Sequence, residues 1–267
     1  MTMLPQPSAR ARVSTALLFV ALWLGTIGCA NVYSQRIPPL ETRNDPVSIP
    51  DGAAISDEIE TRNGAVAIGE DAQVDDITTR NGAIVLSEGA RAASIVTRNG
   101  AIVLRGDNIA EDIATRNGRI AIGPETTIEG SVETRNGRVT IEREATVNGD
   151  VKTRNGSVET EQGVRVAGEI DTRNGSLTLV GTQVDMLVDS RNGDIRLRKG
   201  TVIRSDVRLL MGEDWNGSQP PVLSIDADSR VEGRLIVDER ARVDIEAGAE
   251  VPEVERFASR EDWASQQ

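Results

Sequence analysis

Three kinds of side chain in this sequence could do chemistry, and their spacing limits what that chemistry is. Acidic pairs stand at Asp57-Glu58, Asp75-Asp76 and Glu111-Asp112. Paired carboxylates can share a proton for general acid–base work or hold a hard cation such as Ca2+. Arginines recur at Arg62, Arg80, Arg98, Arg116, Arg135, Arg154, Arg173 and Arg191, and a guanidinium fork matches carboxylate or phosphate. Cys29 is the only cysteine, so there is no disulfide framework. The residue that is missing decides more: the chain has no histidine. That removes His-based triads and the usual imidazole-bound transition metals.

The elements that must position these groups follow from the motif around each arginine. Thr-Arg-Asn-Gly stands at Thr61–Gly64, Thr79–Gly82, Thr97–Gly100, Thr115–Gly118, Thr134–Gly137, Thr153–Gly156 and Thr172–Gly175. A variant follows at Ser190–Gly193, and a degenerate first copy precedes them at Thr42–Asp45; successive copies start 18 or 19 residues apart. A fixed period of about 20 residues marks a solenoid, whose units bury their apolar faces only against neighbours. Helical repeats need roughly 33 residues or more, and no window shows helical apolar spacing.

Within a repeat the pattern alternates. Ile77, Thr79, Ile84, Leu86, Ala90 and Ala92 point in, whereas Thr78, Arg80, Ala83, Val85 and Arg91 point out. This is period-two burial on three very short strands joined by tight turns. The opposite parity would bury every motif arginine, which a dry core does not tolerate unpaired. The expected fold is therefore all-β: a single-stranded parallel β-helix over residues 41–251, with 18 or 19 residues per coil and right-handed crossovers. Ten or eleven coils at about 4.8 Å each give a rod roughly 50 Å long.

The same alternation places the motif asparagines inside, where Asn63, Asn81, Asn99, Asn117, Asn136, Asn155, Asn174 and Asn192 should stack as a ladder. Asn and Gly are expected to supply a left-handed corner. Outside, the arginines form one stripe. Glu60, Glu133, Asp171 and Asp189 stand two residues before four of them. Before Arg80, Arg98 and Arg116 the equivalents are Thr78, Val96 and Ala114. Around the corner Ala67, Val85, Val103 and Ala121 present an apolar strip. Stripe and strip together, with Arg80, Arg98, Arg116, Val85 and Val103 at their centre, describe a contact surface for an anionic partner or another rod. The alternative is that the arginines merely keep flat faces from aggregating.

Composition agrees with a thin rod. Aromatic residues make up only 2% of the chain, too few for a conventional core of this length, whereas a narrow β-helix can be filled by Val, Ile, Leu and Ala. The formal charge is −12, and residues 1–28 hold two Arg and no acid, so without them it becomes −14. That argues against nucleic-acid binding, which needs basic surface.

The first residues carry an address. Arg10 and Arg12 precede an apolar run over residues 13–24, and Thr26-Ile27-Gly28-Cys29 follows. The run is shorter than the ~20 residues of a membrane span and has the layout of a secretory signal. It resembles the bacterial lipoprotein signal, although Thr26 stands where such signals usually have Leu. The resemblance implies a signal peptide over 1–28, lipid on Cys29, a tether over 29–40, and a membrane link through that lipid. With Ala30 following, it also implies the periplasmic side of the outer membrane.

The longest break in the period runs from Leu209 to Pro221 and reads as a loop carrying Trp215, expected to fold back on the rod rather than stack on a glycan. Residues 252–267 read as a C-terminal cap, with Val254, Phe257, Ala258 and Trp263 on one face of a short helix that would block one rod end.

Chemistry finds no purchase on this frame. Acyltransferases built on hexapeptide coils need a catalytic His, and β-helical carbonic anhydrases need His ligands. β-Helical polysaccharide enzymes use long loops and sugar-stacking aromatics, which minimal turns do not supply. The acidic pairs read as a solvated edge, since the Gly-rich nonapeptide of calcium β-rolls is absent. No enzymatic activity, cofactor or metal is expected. Asp189-Ser190-Arg191-Asn192-Gly193-Asp194-Ile195 resembles the adhesin-like β-solenoid family of bacterial envelope proteins. Ala145–Val151 and Ser229–Leu235 are similar to bactofilins, polymer-forming β-helices. These likenesses imply a structural or adhesin-like rod, with a self-assembling scaffold as the alternative and a carbohydrate enzyme less favoured.

Overall fold

A computed structural model describes residues 40–212, 215 and 219–266. The signal-like segment 1–28, Cys29 and the tether up to residue 39 lie outside the described residues.

From residue 40 onward the chain winds into a parallel β-solenoid with three faces. The first face is a sheet of twelve strands, one per coil, from Leu40–Thr42 to Val254–Phe257. The second has eleven, from Val47–Ile49 to Arg242–Ile245. The third is made of two-residue strands from Ala54–Ile55 to Arg230–Val231. Arg91 bridges its two pieces by pairing with Gln73 and Ile109.

Every strand pairs with its equivalent one coil away. Ile59, Ile77, Ile95, Ile113, Val132, Val151, Ile170 and Val188 thus form one column in register. All are fully buried, and each such side chain contributes about 1.5–3 kcal/mol relative to exposure. Ile84, Ile102, Ile120, Val139 and Val158 form a second column. At the third corner the inward positions stay small or polar: Ala72, Ala90, Asn108, Thr126 and Ala145 are fully buried. Asn108 is satisfied there, accepting from Gly106 N–H and donating to the carbonyls of Ser87 and Ala90.

The motif corner departs from strict alternation. Its threonines are buried, but Arg and Asn both face out, and it is the glycine that turns in; Gly64, Gly82 and Gly100 are buried. The asparagine ladder therefore stands on the outside, correcting the inward placement. Asn63, Asn81, Asn99, Asn117, Asn136, Asn155 and Asn174 are exposed, and Asn192 is half-buried. Each Nδ2 donates to the Oδ1 of the preceding coil at 2.6–2.8 Å, starting from Asn44. The ladder ends at Asn192, whose Oδ1 has no partner.

Close approach explains the inward glycine. A Cβ on Gly82, Gly100 or Gly118 would fall on the carbonyl of the glycine one coil before. The buried Thr oxygen completes the joint: Thr97 Oγ1 donates to Gly82 O at 3.2 Å, and Thr79 Oγ1 accepts from Gly82 N at 3.1 Å. Left-handed backbone, expected here, occurs instead at the corner after the second sheet. Asp71, Gly89, Asp107, Glu125, Glu144 and Gly163 have φ between 50° and 82°.

Two of the acidic pairs, through Asp76 and Asp112, gain a structural role that the single acids Asp150 and Asp206 share. Asp76, Asp112, Asp150 and Asp206 each accept a backbone N–H from the next coil, at Ser94, Ser131, Glu169 and Arg234, at 2.8–3.0 Å. They clip coil to coil at the entrance of the first sheet, rather than forming a merely solvated edge.

The expanded coil is the one expected. Val207 pairs with Leu235, a step of 28 residues instead of 19. Leu210 and Met211 are fully buried, and Trp215 packs on the core with Arg240 over its ring at 5.6 Å. The carboxylate of Asp238, fully buried, accepts from Met211 N–H and from Arg240.

The C-terminal stretch differs from expectation. Val254–Phe257 continues the first sheet as a strand, and the helix is confined to Arg260–Ser265, capped by Ser259. This helix does not sit over the rod end. Arg260 grips Asp189, and Trp263 lies under Arg208 at 4.6 Å to the ring centre. Those partners lie three and two strands in from the last one. The tail thus folds back along the outer flank of the first sheet, where apolar area is available; Ile236, at an outward register position, is fully buried.

Candidate functional site

Along the same flank, on coils the tail leaves open, runs the most distinctive surface of the protein. Its wall is the arginine stripe. Each arginine carbonyl accepts an N–H from the asparagine of the next coil at 2.9–3.0 Å, from Arg43 through Arg173. The stripe therefore advances by one coil rise, about 4.8 Å, per residue. Arg62, Arg80, Arg98, Arg116, Arg135, Arg154 and Arg173 are exposed, and Arg191 is half-buried.

The floor is the outward row of the first sheet: Glu60, Thr78, Val96, Ala114, Glu133 and Lys152, paired in register. Wall and floor enclose an open groove of about 970 Å³. On the far side of the arginines lies a shallower furrow of about 650 Å³, lined by Arg80, Arg98, Arg116, Arg135 and the asparagine ladder. The guanidinium row is thus a ridge between two channels. Val85 and Val103 lie beyond, in register with Ala67 and Ala121 on the second sheet and half-buried. The groove itself is on the opposite side of the arginines from that strip.

Electrostatics sets this ridge apart. The groove lining holds seven cations (six Arg and Lys152) against Glu60 and Glu133, a net of 7 − 2 = +5, on a chain whose formal charge is −12. Among the described residues none of the eight motif arginines has a carboxylate within salt-bridge distance, whereas fourteen other ion pairs form. Of the four carboxylates two residues before motif arginines, Asp189 is directed elsewhere, pairing with Arg208 and Arg260. Lys152 lies between Asp150 at 2.8 Å and Glu169 at 2.6 Å. Hydrogen bonds to those two carboxylates raise its pKa above the ordinary lysine value. Like charges one coil apart repel by roughly 1 kcal/mol even in water, so the ridge is a standing cost that an anion would relieve.

Two titrations at this flank have opposite signs. Burial, with Asp189 beside it, raises the Asp171 pKa above 3.8. The folded state then prefers the protonated acid, so Asp171 costs stability at neutral pH and the cost fades on acidification. Asp171→Asn should raise Tm at pH 7, with a gain that shrinks as pH falls toward 3.8; thermal melts across that range measure it. Burial alone would push Asp206 up as well, but its bonds from Arg234 outweigh that and hold it below 3.8. Its contribution is full above 3.8 and lost as pH falls below that value.

No group of three or more His, Cys, Asp or Glu is placed to hold a metal ion among the described residues. The sequence indicated the arginine stripe, but not the groove or the clipping role of the acids. The only available signal for the clips was the recurrence of an acid just before the first-sheet strand. No protein-family model, curated protein or solved structure matches this chain. The fold is a parallel β-solenoid, which is compatible with a bactofilin-like β-helix.

Proposed function

We propose that this chain is a non-catalytic, lipid-tethered rod of the cell envelope, a structural or adhesin-like element that makes its contacts through the arginine flank. The observation that carries this reading is the row of exposed arginines with no carboxylate partner on an otherwise acidic solenoid. The lipid link rests on the lipoprotein-like layout around Cys29, which in turn points to the periplasmic face of the outer membrane.

Two measurements in native cells test it. Cys29→Ser should abolish incorporation of labelled fatty acid and shift the protein from the membrane fraction to the soluble one. Charge reversal of Arg80, Arg98 and Arg116 to Glu should remove the crosslinks the rod makes in its envelope, while circular dichroism stays β-type. Unchanged fractionation overturns the lipid link, and unchanged crosslinks overturn the flank contact. A self-assembling scaffold is the second reading, because the first and last strands of the two long sheets each have a neighbour on one side only. Filaments of the detergent-purified chain in sedimentation and electron microscopy would favour it over a solitary rod.

A further inference from the structure

We propose that the arginine groove holds a linear acidic glycan, with a carboxylate on its sugars, laid along the rod axis. The proposal rests on the flank-contact reading and names the partner. Three features select it.

The first is the step. Guanidinium-bearing residues recur at each coil, about 4.8 Å apart, pinned by the Asn-to-Arg backbone bonds. A pyranose ring advances a glycan by close to one such step, so the carboxylates on one face of a twofold or threefold glycan recur at whole multiples of the coil rise and meet every second or third arginine. In an extended peptide, side chains on one face recur at two residues, about 6.7 Å, and fall out of step. Stacked nucleic-acid strands repeat at about 3.4 Å, and also fall out of step.

The second is the floor. Between the carboxylates of Glu60 and Glu133 lie Thr78, Val96 and Ala114, with no charge. Val96 is 37% exposed, one of three large apolar side chains so placed among the described residues. A hydroxyl beside two apolar patches suits a sugar ring, which has CH faces and polar edges. The third is the field. With +5 in the groove, the rest of the chain carries −12 − 5 = −17. The net negative charge of the rest of the chain disfavours a polyanion there, and the arginine ridge directs it to this flank. The tail helix closes the same flank at Asp189 and Arg208, so the ligand occupies the coils from Arg62 to Arg154.

The test uses the full chain in detergent and a fluorescent oligogalacturonate, read by anisotropy. Saturable binding that weakens with salt is expected. The methyl-esterified oligomer should bind roughly tenfold or more weakly, because each ester removes the carboxylate charge that strengthens its hydrogen bonds to arginine. The triple variant Arg80→Gln, Arg98→Gln, Arg116→Gln should lose affinity by a similar factor. Val96→Glu, which adds a carboxylate at an exposed floor position and leaves the core untouched, should do the same. Arg143→Gln, exposed at another corner, should leave binding unchanged. Equal affinity for the esterified oligomer, or full affinity in the triple variant and in Val96→Glu, overturns the proposal. Tighter binding of polyglutamate than of oligogalacturonate also overturns it, in favour of an acidic protein partner. None of these results alters the native crosslinks by which the flank contact itself is judged.

Discussion

Gly118→Ala is expected to lower the melting temperature by about 6–12 °C, the shift for a loss of about 3 kcal/mol in a chain of this size. The reason is not backbone freedom, since Gly118 is not among the glycines with positive φ. A methyl built on it falls on the carbonyl oxygen of Gly100 and sits 3.0 Å from the Thr115 hydroxyl. The obstructing group is backbone, held by the sheets on either side of the corner, so it cannot swing away as a side-chain end would. Relief requires two coils to part, and a solenoid keeps its stability in such interfaces. Gly52→Ala is the control. Gly52 has φ +65° and open space around it, so an added Cβ costs only the left-handed penalty of about 1–2 kcal/mol. Thermal melts of the two variants separate close approach from conformation. Equal losses would mean that the inward corner is softer than its geometry indicates.

Asp189→Ala is expected to release the C-terminal helix. The Asp189 side chain is 6% exposed and takes Arg208 and Arg260, each at 2.6 Å. Arg208 and Arg260 are themselves only 14% and 16% exposed, so solvent screens the cluster poorly. Removing the shared carboxylate strands two cations side by side. Breaking a buried pair in this way costs about 3–5 kcal/mol, more than a one-and-a-half-turn helix recovers from packing. Trp263 should then leave its place against Arg208, read as a red shift of tryptophan emission and rapid tryptic cleavage after Arg260. Adding Arg260→Ala to the first variant removes one stranded charge and should restore part of the rod's stability while the helix stays free. Retained protection at Arg260 in the single variant would show that Trp263, packed against Arg208, docks the tail without the shared carboxylate.

How far the sequence could be read varies with the range of the interaction. The strands were legible because their cause is local: Ile77-Thr78-Thr79 and Ile84-Val85-Leu86 alternate, and the structure buries the same side of each. The inward pair Ala90 and Ala92 was legible for the same reason. The motif corner was not. Alternation carried through Thr79, Arg80 and Asn81 puts the asparagine inside, yet at a corner the backbone bends and two successive residues, Arg80 and Asn81, face water. The amide ladder survives that change because its bonds run along the axis, which is available from either side.

The candidate site was half legible. Arginines at a constant step form a stripe in any solenoid of that period, and Thr78, Val96 and Ala114 were visibly uncharged. That the stripe lacks carboxylate partners was hidden. Asp189 stands two residues before Arg191 in the chain, but it is taken by Arg208 and by Arg260, the latter 71 residues away.

By itself, then, the sequence determined the architecture: the period sets the coil, period-two burial sets the strands, and the absence of histidine narrows the chemistry. These are properties of one repeat and its copies. Only the tertiary structure decided which corner residue turns inward, which acids clip coils together, where the tail lies, and on which side of the arginines the groove opens. Each of those depends on the distance between a backbone atom or charge and a group in another coil, a quantity that stacking creates and a single repeat does not contain.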